Sequence, residues 1–149
     1  MSGINAVGAQ GVRQEGWEVL DIIASAAVDD VPLILIIDDD AAVLGSLGFL
    51  LETEGYAVLA CGDVGELLSA EMPRPGCMII DFRMPVMNGL DVLRWLREKN
   101  IDAPAILITG RLDASIRKLA FESGFVRVLE KPILGNTLTE VVRDVMAGV

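Results

Sequence analysis

Five short apolar runs recur along residues 33–130, and a stretch with helical spacing follows each of them. The runs are LILIID, YAVLAC, CMIID, AILIT and VRVLE. The first is continuous and rich in isoleucine, the pattern of a strand buried on both faces. In AAVLGSLGFLLETEG, Val43, Leu44, Leu47, Leu50 and Leu51 fall on one stripe, and Gly55 supplies a stop. DVGELLSAEM reads as a short helix closed near Pro73 and Pro75. GLDVLRWLREKN spaces Leu90, Leu93 and Leu96 along a helix, LDASIRKLAFESG ends at Gly124, and GNTLTEVVRDVMAG closes the series. Strands and helices alternating at this spacing imply parallel strands joined by right-handed crossovers. The expected fold is α/β: a doubly wound, five-stranded parallel sheet with helices on both faces. Such sheets bind ligands outside the carboxyl ends of their strands, so those ends are where function is sought.

The chain has 149 residues and is 52% hydrophobic, enough for one domain with a sizeable core. Its formal net charge of −10 argues against nucleic-acid binding through the bulk surface, which needs a positive face. Histidine is absent, so His-based triads and His-ligated metals are excluded. Cys61 and Cys77 each lie beside an apolar run without CxxC spacing, and read as reduced core thiols of a cytoplasmic protein. The apolar runs LILII and VLGSLGFLL are too short to span a bilayer, so no membrane association is expected. Glu15, Glu18 and Asp21 interrupt the N-terminal apolar residues, unlike a signal peptide. Residues 1–14 are Gly-rich and aperiodic and read as a mobile tail. Trp17, Leu20, Ile23, Ala24 and Ala27 could share a face of a short helix before residues 29–32 break it. The expected division is an extension over 1–31 and a domain over 32–149.

The strand ends carry the chemistry. The first strand stops at Asp38-Asp39-Asp40, the third at Asp81, the fourth at Thr109-Gly110, and the fifth before Lys131-Pro132. Singly, these residues have ordinary explanations. Asp40 directly precedes a helix and reads as its N-cap. Thr109 alone would be a turn hydroxyl, and Lys131 alone a solvated charge. Together they converge on one rim. Clustered acids raise one another's pKa unless something positive sits among them, and a hard divalent cation such as Mg²⁺ suits oxygen ligands. A carboxylate nucleophile beside such a cation suggests phosphoryl transfer, with Lys131 and Thr109 meeting oxygens of the transferring group.

The succession LIIDDD, IIDFRMPVMNG, ILITG and VLEKP resembles the receiver domain of bacterial two-component response regulators, over about residues 33–148. The resemblance implies the flavodoxin-like, CheY-like strand order 2-1-3-4-5. It also implies a phosphorylation-activated signalling switch of a phosphorelay rather than an enzyme. On that likeness Asp81 matches the phosphoacceptor. Asp38 and Asp39 match the acidic pair that holds Mg²⁺ with Asp81 and the backbone carbonyl of Arg83, Asp39 directly and Asp38 largely through water. Thr109 matches the switch hydroxyl and Lys131 the phosphoryl-binding lysine, and Pro132 follows a cis peptide bond. The implied donor is a sensor histidine kinase or phosphotransfer protein. A phosphorylation-dependent homodimer could form through the face from the fourth helix to the fifth, residues 112–147. The wording RMP, with TG after the fourth strand, is similar to receivers attached to LuxR-type DNA-binding tails. Here the chain runs to Val149, just after the fifth helix, which suits either a stand-alone receiver or part of something longer.

One position departs from that pattern. Three residues before Lys131 the family usually carries a tyrosine or phenylalanine, and here stands Val128. This bears on output rather than on phosphorylation. Phe125 lies nearby and reads as core. Arg83 and Arg111 are long cations near the rim that could shield an acyl phosphate. Two rival functions have discriminating features. An aspartyl phosphatase would use a DxDG-type turn. Asp38 and Asp40 have that spacing, but Ala41 replaces the glycine and Asp81 would go unexplained. A binding module with a disused receiver site is opposed by the intact set Asp38, Asp39, Asp81, Thr109 and Lys131.

Overall fold

The computed structural model describes residues 4–8, 11–13, 31–69, 71 and 74–148. Seven strands form one sheet. They are β1 (Ile4–Gly8), β2 (Gly11–Arg13), β3 (Leu33–Ile37), β4 (Ala57–Cys61), β5 (Cys77–Asp81), β6 (Ala105–Thr109) and β7 (Arg127–Glu130). The described helices are α1 (Ala41–Thr53), α2 (Val64–Ser69), α3 (Gly89–Glu98), α4 (Ala114–Ser123) and α5 (Gly135–Met146). The strand order is β2-β1-β4-β3-β5-β6-β7. Strands β3 to β7 pair in parallel, so the five strands read from the sequence take the order 2-1-3-4-5.

Buried parallel strands explain the apolar runs. All five residues of β3, β5 and β6 are buried, because helices cover both faces of the sheet. Alternate strand residues divide into two cores. Leu35, Ile37, Leu59, Met78, Ile80 and Leu107 pack with α2, α3 and α4. Ile34, Ile36, Val58, Ile79, Ile106 and Ile108 pack with α1 and α5. Each fully buried Leu or Ile contributes about 1.5–3 kcal/mol, so these two layers hold the strand ends in place.

Side chains cap α1, α3 and α4, the first at Asp40 as expected from the sequence. The Asp40 carboxylate accepts from the N–H groups of Ala42 (2.9 Å) and Val43 (3.4 Å), opening α1. Asn88 caps α3 through Asp91 N at 2.9 Å, and Asp113 caps α4 through Ile116 N at 2.8 Å. Gly124 ends α4 at φ 108°, a left-handed conformation open to glycine at little cost.

Residues 4–8 and 11–13, within the stretch expected to be a mobile tail, form strands. β1 pairs antiparallel with β4, Ile4 opposite Cys61 and Val7 opposite Val58, and β2 folds back on β1. Edge pairing rests on main-chain hydrogen bonds, which leave little mark on the side-chain pattern. The helix expected over 17–28 lies outside the described residues. Among the described residues, no helix is long and apolar enough to cross a membrane.

Candidate functional site

The parallel register brings four strand ends to one rim. Asp38 follows β3, and its N–H donates to the carbonyl of Cys61 at the end of β4 (3.1 Å). Its Oδ1 accepts from Asp40 N at 2.9 Å, which locks the side chain inward. Asp38 is fully buried and Asp81 is 4% exposed, whereas Asp39 faces solvent. Phe82 N donates to the Ile108 carbonyl, and the Phe82 carbonyl accepts from Gly89 N, both at 2.8 Å. The loop over residues 83–88 is thus pinched at its root. Gly89 is required there: a Cβ would sit 2.5 Å from the Asp81 carbonyl oxygen and 3.0 Å from Leu107 Cδ1.

Lys131 bridges the two buried acids. Its Nζ lies 2.9 Å from Asp38 Oδ2 and 3.2 Å from Asp81 Oδ1. The Lys131–Pro132 peptide bond is cis, and Lys131 N donates to the Thr109 carbonyl at 2.8 Å. Burial pushes the Asp81 carboxyl up from 3.8 to about 6. The Asp38 charge pushes the same way, and the Lys131 ammonium pulls back. Burial also raises Asp38, against the pull of Lys131 and the Asp40 N–H. Burial alone would lower Lys131, but the two carboxylates outweigh it and hold the ammonium above its ordinary pKa. The lysine therefore stays charged, and the acids compete for it.

The site suits a hard cation. One carboxylate oxygen from each of Asp38, Asp39 and Asp81 lies within 4.8 Å of the others. Asp38 Oδ2 is buried and, although close to Lys131, accepts no well-directed hydrogen bond. Three carboxylates against one ammonium leave excess negative charge, and an all-oxygen donor set fits Mg²⁺ or a similar ion.

Not every expected partner is turned inward. Thr109 is buried, but its hydroxyl donates to the Arg111 carbonyl (3.1 Å) and accepts from Arg111 N (3.3 Å). It is engaged in its own turn. The Arg83 guanidinium is exposed and lies 5.6 Å from the centroid of the Phe82 ring, which accounts for its position without the acids. Arg111 is exposed as well. Val128 is 7% exposed and shares a buried cluster with Leu107, Ile116, Ala120 and Phe125. Asp40 is committed to capping α1, which removes it from a DxDG-type turn. One contact went unread in the sequence: Glu130 Oε2 accepts from Leu112 N at 3.0 Å. A glutamate ending a strand carries no signal of a partner 18 residues back.

Comparison with known proteins gives a consistent picture. The sequence model of the response regulator receiver domain family matches residues 34–143. The transcriptional regulatory protein FixJ of Bradyrhizobium diazoefficiens is 34% identical over 113 residues, covering 74% of this chain and 55% of that protein. FixJ of Azorhizobium caulinodans is 37% identical over 109 residues, covering 72% and 52%. The C4-dicarboxylate transport transcriptional regulatory protein DctD of Pseudomonas aeruginosa is 35% identical over 119 residues, covering 79% and 26%. The chain thus spans about half the length of the FixJ proteins and about a quarter of DctD. Among solved structures, a CheY-like receiver domain protein from Methanospirillum hungatei superposes with a TM-score of 0.73 at 27% identity, over 79% of this chain and 95% of that one.

Proposed function

The chain belongs to the response regulator receiver domain family, and from that premise we propose that it is a phosphorylation-activated switch whose phosphoacceptor is Asp81. The observation that carries this reading is the Lys131 ammonium held between Asp38 and Asp81, 2.9 and 3.2 Å from their oxygens. A phosphohistidine of a sensor kinase or phosphotransfer protein is the donor. An Asp81 carboxylate oxygen attacks phosphorus, the new O–P bond forms as the N–P bond breaks, and the released imidazole nitrogen takes its proton from solvent. Lys131 neutralises one oxygen of the transferring group, and Thr109 reaches another once its hydroxyl leaves the turn at Arg111. Asp38, Asp39, Asp81 and the Arg83 carbonyl would hold Mg²⁺, which would supply charge neutralisation for the remaining oxygens.

The buried acids make the site reactive toward a phosphoryl donor without further protein. In that sense the domain assists its own phosphorylation and, through water, its own dephosphorylation, while acting as a regulator rather than an enzyme. We take residues 32–149 as the receiver and 1–31 as an extension to it, in a cytoplasmic protein that does not bind nucleic acid through this domain. The α4–α5 face is the proposed surface of a phosphorylation-dependent dimer. Incubation with acetyl phosphate and Mg²⁺, read by intact mass spectrometry, tests the reading. One phosphoryl group should be added, and EDTA should abolish it. Catalytic turnover of small phosphate esters without a labelled protein would instead favour a phosphatase.

A further inference from the structure

Phosphoryl contact by Thr109 requires its hydroxyl to leave the Arg111 turn, so the loop over residues 110–113 must move. What restrains that loop decides how readily the switch is thrown. Its first residue follows β6, and its last is the N-cap of α4, so both ends are fixed in the fold. Between them, the N–H of Leu112 donates to the carboxylate of Glu130, 3.0 Å away on the neighbouring strand end. Glu130 is exposed, so its side chain is not held there by packing. It is also the residue before Lys131, whose ammonium sits on the acid pair. One dipeptide therefore touches both the loop and the phosphoryl site. The ring that could couple the two is absent: Val128 is buried, small and stiff at χ1, and cannot sweep between an exposed and a buried position.

We propose that Glu130 is a positioning residue, a latch whose carboxylate holds the 110–113 loop in the arrangement that keeps the Thr109 hydroxyl in its own turn. This rests on the reading of Asp81 as phosphoacceptor. A phosphoryl group drawn against Lys131 displaces the dipeptide, the Glu130 bond to Leu112 N lengthens, and the loop is freed to carry Thr109 inward. Activation passes through a hydrogen bond between two strand ends rather than through a rotating ring.

Two substitutions separate a latch from a surface charge. Glu130→Gln keeps an oxygen able to accept from Leu112 N, and Glu130→Ala removes it. In the metal-free, unphosphorylated protein, the Leu112 amide should exchange with solvent about fivefold faster in Glu130→Ala and near the parent rate in Glu130→Gln. Titration with beryllofluoride and Mg²⁺, followed by amide NMR shifts, should show apparent affinity rising about fivefold in Glu130→Ala and little changed in Glu130→Gln. Unchanged Leu112 exchange in Glu130→Ala would overturn the latch, as would equal behaviour of the two variants. Weaker beryllofluoride binding by Glu130→Ala would place the bond in the activated arrangement and overturn it too. If no protein binds beryllofluoride, the phosphoacceptor reading fails, while the exchange measurement still decides whether the bond restrains the loop.

Discussion

Replacing Asp81 by asparagine should make the metal-free protein more stable. A carboxyl held at about 6, against 3.8 for an unperturbed aspartate, corresponds to about 3 kcal/mol of unfavourable free energy once the group is ionised in the native state. The side chain is only 6% exposed, so solvent screens little of this. The sign follows from the direction of the shift. The native state binds the proton more tightly than the unfolded chain, so the proton-linked stabilisation is complete below 3.8 and is lost as pH rises through about 6. Asparagine removes the ionised oxygen and leaves Lys131 paired with Asp38. Urea denaturation in EDTA at about pH 8 should therefore find Asp81→Asn more stable by about 1–3 kcal/mol, with the gap falling to roughly half at about pH 5. Added Mg²⁺ should narrow the gap by stabilising the parent. A variant less stable than the parent at the higher pH, or a gap that does not change with pH, would refute the reasoning.

Other substitutions probe the supports of the site. Gly89→Ala should cost about 1–3 kcal/mol in urea denaturation and slow acetyl phosphate labelling, because its Cβ meets the Asp81 carbonyl. Val128→Tyr should cost a similar amount by overfilling the cluster around Leu107 and Phe125, yet keep Asp81 labelling in intact mass spectra. Asp39→Ala should weaken Mg²⁺ more than Asp38→Ala in titrations followed by tryptophan fluorescence; equal affinities would count against Asp39 as the direct ligand. Burial raises Cys61 to about 11 and Cys77 to about 12, so neither thiol should react with a thiol reagent near neutral pH until urea unfolds the chain.

The parallel core was legible because its strands are buried on both faces, which forces continuous apolar runs such as LILII and AILIT. The rim was legible because the fold places strand ends together, and Asp38, Asp81 and Lys131 meet there as ion pairs. The hairpin of β1 and β2 was not, since its pairing to β4 is made by backbone groups that any residue carries. Nor was the engagement of the Thr109 hydroxyl with Arg111 in its own turn, because a threonine after a strand serves a turn or a ligand with the same chemistry. Glu130 belonged to the VLEKP motif, yet its bond to Leu112 N depends on the relative height of β6 and β7, which residue types do not report.

The central claim is that the phosphoryl group resides on the Asp81 carboxylate, and locating it chemically tests that most directly. Borohydride reduces an acyl phosphate to an alcohol with loss of phosphate, converting a phosphorylated aspartate to homoserine. Treating the acetyl phosphate-labelled protein in this way and mapping its peptides should find homoserine at position 81 alone. Homoserine at position 38 or 39, or a label on Thr109 that survives borohydride as an ester, would contradict the assignment.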